Sequence, residues 1–557
     1  MNPRPDDALP NRRRSWTLLL IVLLAAALRF YRLDNVPPAI NQDEAVHAYD
    51  AWCLLETGKD HRGEAWPIFF RAFRDYHPGV FVYLLMPLQA LFGMNVWTTR
   101  LPGALIGVVG VWLLYELLRR VYNDRAAAMA ALFLAVSPWH VHVTRLAFEA
   151  GTCPTLMVLA MLLLLLAVRR QNSAIWLASG LIFGLTAWTY HAMRVFVPLL
   201  LLAIVVVYRD RLRQLLVDRR TRRFPMVWGV GLFIGLLPFL WAWFRNPEAV
   251  WTRAASVSVF HKTTGLADGV MAFVRNYLQN LSPDFFFIGG DHSLVQSIAG
   301  YGQLHYFCAI LIPVGLYRAV RRWRQEPFTQ LVIWWILLSP VPAAAANWEG
   351  GHALRSIGGL PAYQILAALG GDFILAAVGA RSAASVRRFL IAGAAVLALN
   401  VGYFLKLFFA DYPIAAAQAF QSEWREVFAE VDRRKADYDA FLFTSMKTNQ
   451  LGILYLYWTR MPPREYFAQS PQYLPGPTFD RLLQIGPVVF ARSEELPGML
   501  PLLGHHRRLL VAERPDIPVP GRELRRFPYP DGRVGVILYE VRQEDIPARA
   551  TTSPASH

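Results

Sequence analysis

The chain has 557 residues, 55% of them hydrophobic, and carries 56 Lys and Arg against 40 Asp and Glu, a formal charge of +16. Apolar runs near the ~20 residues that span hydrocarbon recur too often for a soluble protein and predict a polytopic membrane protein. The basic excess lies in short arginine-rich connectors between those runs, a topology signal that excludes nucleic acid as the partner.

In chain order, Arg12-Arg13-Arg14 precedes an apolar stretch from Ser15 to Leu28, and Arg29-Phe30-Tyr31-Arg32 follows where a cleavage site would need small residues. The stretch is read as an uncleaved first span with a cytoplasmic N-terminus. Further apolar runs occupy 79–92, 100–118, 126–137, 152–168, 174–189, 194–208, 226–244, 303–317, 328–346, 358–379 and 388–410. The connectors Arg119–Arg125, Arg169-Arg170, Arg209–Arg223, Arg318–Arg324 and Arg381–Arg388 are all expected on the cytoplasmic side. That holds only if the short 79–92 run stays on one side as a juxtamembrane or re-entrant segment. The expected fold is therefore an all-α polytopic membrane domain over residues 1–410, with about eleven transmembrane helices and juxtamembrane helices in the first exterior loop.

Beyond Ala410 the composition changes. An amphipathic helix pattern (Glu423-Trp424 to Arg433) and strand-like runs at Ala440–Thr444, Val488–Ala491, Leu509–Ala512 and Val534–Val541 alternate with turn signals such as Pro462-Pro463 and Pro530-Asp531-Gly532. Residues 411–557 are read as a small soluble α/β or α+β domain on the exterior, ending in a disordered Thr551–His557 tail. Cys53, Cys153 and Cys308 lie too far apart for a disulfide framework or zinc spacing. The sequence contains no internal repeat, Walker loop or dinucleotide fingerprint, which argues against an ATP-driven pump.

This topology gathers ionisable groups at the exterior ends of spans. The sharpest cluster is Asn41-Gln42-Asp43-Glu44-Ala45-Val46-His47-Ala48-Tyr49-Asp50, directly after the Pro37-Pro38 turn. Two acids beside a bilayer are costly without a task. The plainer reading makes them first-turn acids of an interfacial helix beginning near Asn41. Asp43 and His47 are one helical turn apart, so a divalent metal is conceivable there; it is not favoured, and no cofactor or metal ligand is assigned. Arg145 and Glu149, four apart, would form an ordinary i,i+4 pair on a helix. Trp139, with His140 and His142 beside it, reads as an aromatic-belt residue.

The segments YHPGVFVYLL, TRLPGALIG, SPWHVHVTRLAFEAG, WTYHAMRVFVP and HALRSIGGLPAY, in this order after the Asp-Glu pair, resemble the type C glycosyltransferase superfamily. Within it they resemble the branch of protein O-mannosyltransferases and lipid A aminoarabinose transferases, which use polyprenyl-phosphate sugars. The resemblance covers about residues 15–410.

It implies transfer of a monosaccharide, usually with inversion, from a polyprenyl-phosphate-linked donor to a protein Ser/Thr, a lipid or a cell-wall glycan outside the plasma membrane. Membrane lipid is a further partner. Asp43 matches the family's catalytic acid and is expected to be the general base, with Glu44 beside it positioning the acceptor or tuning its ionisation. Arg145, Arg355, Arg194 and His77 are the candidate donor-phosphate ligands. His77 stands before Pro78-Gly79 where the lipid A branch has a lysine before Pro-Pro. Glu149, His47, His191 and His352 are candidate substrate contacts. In the family the 245–302 loop covers the active site. The alternative is a transporter or flippase of lipid-linked sugars, which should show charged broken helices at midmembrane in two similar halves.

Overall fold

The computed structural model describes residues 12–73, 75–248, 257–263, 265–348, 350–380, 382–445, 450–475 and 480–546. The expected tail at Thr551–His557 and Arg381, the start of one expected connector, lie outside them. The chain divides into two compact units, one of Met1–Leu33, Pro78–Phe81 and Arg100–Tyr412, the other of Asp34–His77, Val82–Thr99 and Pro413–His557.

The first unit is helical. Its helices follow the apolar runs, from Arg12–Phe30 through Asp124–Val136, Cys153–Arg170, Ser173–Thr189, Met193–Val207, Arg223–Arg245, Cys308–Arg321, Pro327–Leu338 and Leu360–Gly379 to Ala383–Lys406. Several begin at a polar N-cap in an arginine-rich connector. Asn123 accepts from the Ala126 amide, Asn172 from Ile175 and Ser382 from Ser385, each satisfying an otherwise orphaned helix N–H.

Among the described residues, Val96–Val121, Glu149–Arg170, Arg223–Arg245, Pro327–Ala344, Ile357–Gly379 and Ala383–Ala415 are long and apolar enough to cross a membrane. Ser15–Phe30, Val80–Phe92, Ser173–Thr189 and Met193–Val207 are apolar but shorter. The larger number of spans expected from the connectors therefore depends on shorter helices crossing too.

Glycines bring one pair of helices into backbone contact. Gly180 and Gly184 on Ser173–Thr189 face Gly231 and Gly235 on Arg223–Arg245. A Cβ at Gly180 would strike the backbone of Trp228, and one at Gly231 the backbone of Leu177. Small residues four apart let the two backbones touch, which is how apolar helices associate where water drives nothing.

The second unit is mixed. A short hairpin, β1 (Phe69–Ala72) with β2 (Asp75–Pro78), follows helix Gln42–Thr57. Later strands are β3 (Ala440–Thr444), β4 (Gln472–Leu474), β5 (Arg481–Ile485), β6 (Val488–Ala491), β7 (Arg508–Glu513), β8 (Arg522–Pro528) and β9 (Val534–Arg542). They form one sheet in the order β4-β5-β6-β3-β7-β9-β8. β3 runs parallel to both β6 and β7, while the outer pairs are antiparallel.

One face of this sheet shares a core with the early part of the chain. Ala45, Val46, Tyr49, Cys53 and Leu54 of helix Gln42–Thr57 are buried in the same cluster as Trp424, Phe428, Phe443, Leu454 and Tyr466. Tyr49 Oη donates to the Met461 carbonyl at 3.0 Å, and Tyr466 Oη to that of His61 at 3.0 Å. Arg71 and Arg62 both reach the Asp480 carboxylate, at 2.7 and 3.4 Å. Residues 413–557 thus hold the helix that carries Asp43.

The connector reading makes a direct prediction about sidedness. The native cysteines are all buried, so a membrane-impermeant maleimide should report only introduced thiols. In intact cells Lys59→Cys should label from outside and Arg219→Cys only after permeabilisation; the reverse pattern would invert the topology.

Candidate active site

The candidate residues fall in both units, and each set is described within its own. In the second unit, helix Gln42–Thr57 starts at a complete capping box. Asn41 Oδ1 accepts from the Glu44 amide at 3.0 Å, and the Asn41 amide donates to Glu44 Oε2 at 3.3 Å. Glu44 is therefore buried and bound into the helix start, whereas Asp43, one residue earlier, is only half-buried. The two adjacent acids therefore differ in burial, and Glu44 is the one that closes the cap. His47, one turn on, is buried, and its ring meets that of the half-buried His77 edge to face at 5.5 Å. Both rings carry a nitrogen of the kind that can hold a cation or a phosphate oxygen.

The same unit holds a buried acid pair, Asp50 and Asp60. Asp50 Oδ1 accepts from both the amide and Nδ1 of His61, at 2.9 and 2.6 Å. Asp60 Oδ1 caps its own turn by accepting the amides of Arg62 at 2.9 Å and Glu64 at 2.8 Å. Burial first, and the charge of Asp50 second, push the Asp60 carboxyl up to about 6 against the pull of His61 and the two amides.

In the first unit, Arg145 is fully buried and donates to the carbonyls of Leu28, Arg29 and Arg32 at 2.8, 3.0 and 3.1 Å. A cation on the last carbonyls of a helix satisfies them and opposes the helix dipole. Its guanidinium also faces the rings of Phe408 and Phe409. Arg145, expected among the phosphate ligands, thus has a structural duty at the end of helix Arg12–Phe30. Glu149 opens the 3-10 turn Glu149–Thr152, after the short helix Pro138–Val143 has ended. The i,i+4 geometry expected for Arg145 and Glu149 therefore does not arise.

Arg194 is half-buried in the first turn of Met193–Val207, with its guanidinium 5.3 Å from the Phe239 ring, and His191 lies in the preceding turn. His352 is buried, tilted against Trp348 at 4.9 Å, with Nδ1 3.6 Å from Asp291 Oδ2. Arg355, three residues on, is half-buried.

The aromatic-belt reading of Trp139, His140 and His142 does not hold, because all three are buried. Trp139 Nε1 donates to the Ala353 carbonyl at 3.1 Å, and His142 Nε2 approaches that of Val295 at 3.0 Å. His140 Nδ1 accepts from Arg29 at 2.6 Å. Asp291 and Asn280 were not singled out from the sequence. Their partners lie some sixty to seventy residues away, at Ala353 and His352, and no spacing rule connects them.

A family model described as dolichyl-phosphate-mannose-protein mannosyltransferase matches residues 76–243. An undecaprenyl phosphate-α-4-amino-4-deoxy-L-arabinose arabinosyl transferase of Pseudomonas fluorescens is 26% identical over 339 residues, 58% of this chain and 54% of that protein. A polyprenol-phosphate-mannose–protein mannosyltransferase of Mycobacterium tuberculosis is 32% identical over 138 residues, 24% of this chain and 25% of that protein. A putative mannosyltransferase of Bacillus subtilis, YycA, is 26% identical over 200 residues, 34% of this chain and 27% of that one. The chain thus spans from about a quarter to about half the length of these curated relatives.

The crystal structure of ArnT from Cupriavidus metallidurans bound to undecaprenyl phosphate superposes with a TM-score of 0.55 at 15% identity, covering 94% of this chain and 98% of that one. The fold is that of a multi-pass membrane protein of the ArnT kind. Residues 76–243 thus match the mannosyltransferase family model, and the chain as a whole is similar in fold to ArnT.

Two predictions follow from the acids. Glutamine at N3 still closes a capping box, so Glu44→Gln should keep most of any transfer activity and its melting temperature, whereas Asn41→Ala should cost about 1 kcal/mol. For Asp60 the folded value lies above the ordinary ~3.9, so the folded chain holds more protons and stability falls as pH rises from about 4 to about 6. Asp60→Asn keeps the Oδ1 acceptor without the charge. It should raise the melting temperature more near pH 7.5 than near pH 4.5, and equal shifts at both would count against the assignment.

Proposed function

We propose that the protein transfers a hexose or pentose from a polyprenyl-phosphate donor to an acceptor hydroxyl of a protein, lipid or cell-wall glycan on the exterior face of the plasma membrane. The observation that carries this reading is the division of labour at Asp43-Glu44. Glu44 closes the helix cap, and the half-buried Asp43 stands next to it on a helix start held by two reciprocal hydrogen bonds. A carboxylate held that firmly and still accessible suits proton acceptance in a transition state.

In the proposed step the acceptor oxygen bonds to the anomeric carbon as the bond from that carbon to the phosphate oxygen breaks. Asp43 takes the hydroxyl proton, and the lipid phosphate leaves with the electron pair, inverting the anomeric centre. Arg355 and Arg194 are assigned to the phosphate because arginine's fork matches its oxygens, with His77 as a further donor. His47, His191, His352 and Glu149 are assigned to the sugar and acceptor. The donors named for two relatives, a polyprenol-phosphate mannose and an undecaprenyl-phosphate aminoarabinose, support the donor class.

Asp43→Asn should lower transfer by about 10²–10⁴-fold in purified protein supplied with a polyprenyl-phosphate sugar, with donor affinity and melting temperature unchanged. Wild-type turnover in that variant would remove the general base from the scheme.

A further inference from the structure

The half-buried Arg355 sits at the end of a segment that has no regular structure, yet its backbone is held at nearly every step. The amide of Gly350 donates to Gln279 Oε1 at 3.2 Å, that of His352 to Asn280 Oδ1 at 2.9 Å, and that of Ala353 to Asp291 Oδ2 at 2.8 Å. The Ala353 carbonyl accepts from Trp139 Nε1 at 3.1 Å, and Ser356 Oγ donates to the same Asn280 Oδ1 at 2.8 Å. Asp291 also pairs with Gly351 in an isolated parallel bridge. Buried amides outside a helix or sheet need such partners, and each one left without a partner is costly.

The holders are themselves held. Asn280 Nδ2 donates to the Asn276 carbonyl at 2.8 Å, and Asp291 Oδ1 accepts from the Ser293 amide at 2.9 Å. Asp291, Asn280 and Trp139 are 3%, 1% and 1% exposed, so solvent cannot replace what they supply. Three separate stretches of the first unit, around 139, 280 and 291, converge on residues 350–356.

We infer that Asp291 and Asn280 are positioning residues for the donor phosphate: by fixing the backbone of residues 350–356 they set where Arg355 and His352 present their donors. The inference rests on the proposed role of Arg355. An ionised Asp291 accepts the Ala353 and Ser293 amides on separate oxygens with no hydroxyl proton to place. Burial opposes that form and pushes the carboxyl up to about 6, while the Ser293 and Ala353 amides, His292 and Arg355 favour it. Asparagine in its place turns one acceptor into a donor that faces an amide N–H.

The test uses the full chain in detergent, with undecaprenyl phosphate as the probe. Dissociation constants are measured for wild type, Asp291→Asn, Asn280→Ala and Arg355→Ala, alongside hydrogen exchange and steady-state kinetics with a polyprenyl-phosphate sugar. Asp291→Asn and Asn280→Ala should each bind the lipid phosphate about tenfold more weakly and raise KM for the donor with kcat little changed. The amides of residues 352–353 should exchange faster, while those of helix Leu360–Gly379 keep wild-type protection.

If Asp291→Asn loses its fold, Asn280→Ala alone carries the same expectation. Wild-type affinity in the positioning variants beside weakened binding in Arg355→Ala overturns the inference and leaves the role of Arg355 standing. Wild-type affinity in all three overturns both.

Discussion

The proposed proton acceptor depends on two reciprocal hydrogen bonds at Asn41 and Glu44. They start helix Gln42–Thr57 at a defined residue, so Asp43, between them in the first turn, has a defined place. A helix end without such a cap frays, and a carboxylate on a fraying turn cannot be held within reach of one hydroxyl. The rest of the second unit extends this restraint. The inner face of the same helix is buried against Trp424, Phe428, Leu454 and Tyr466, and Tyr49 is tied to Met461. A mixed sheet of seven strands therefore serves, at least in part, to back one short helix.

The first unit follows the same economy with other residue types. Arg145 satisfies the closing carbonyls of helix Arg12–Phe30, and Arg29 bonds the Ala135 carbonyl and His140. Residues 350–356 have no helix of their own and borrow acceptors from Gln279, Asn280 and Asp291. In apolar surroundings an unsatisfied backbone group costs more than an ordered side chain, so polar residues are spent on backbone wherever regular structure stops. An arginine that a sequence marks as a ligand, such as Arg145, therefore also serves the backbone.

Much of the architecture was legible in the residues. Helices follow the apolar runs because spans must be long and uniformly apolar, and β3 and β6 match their expected bounds because each is a short apolar run between turn residues. β5 and β8 were missed: Arg481-Leu482-Leu483-Gln484-Ile485 and Arg522-Glu523-Leu524-Arg525-Arg526 carry charge on strands toward the sheet edges, which no hydrophobic pattern flags. The site was legible in type and not in duty. Asp43-Glu44 stood out as two acids, but only the backbone shows which one is the cap. Trp139 looked like a belt residue because an interface and a buried anchor use the same side chain, and Asp291 gave no local signal at all.

The general base can be tested most directly by removing the need for one. Azide is already an anion and attacks an anomeric carbon without giving up a proton. With a polyprenyl-phosphate sugar, Asp43→Ala should lose transfer to hydroxyl acceptors and still form the glycosyl azide, with inverted configuration, at a rate near that of wild type. Loss of azide transfer along with hydroxyl transfer, or undiminished hydroxyl transfer, would contradict the assignment of Asp43 as proton acceptor.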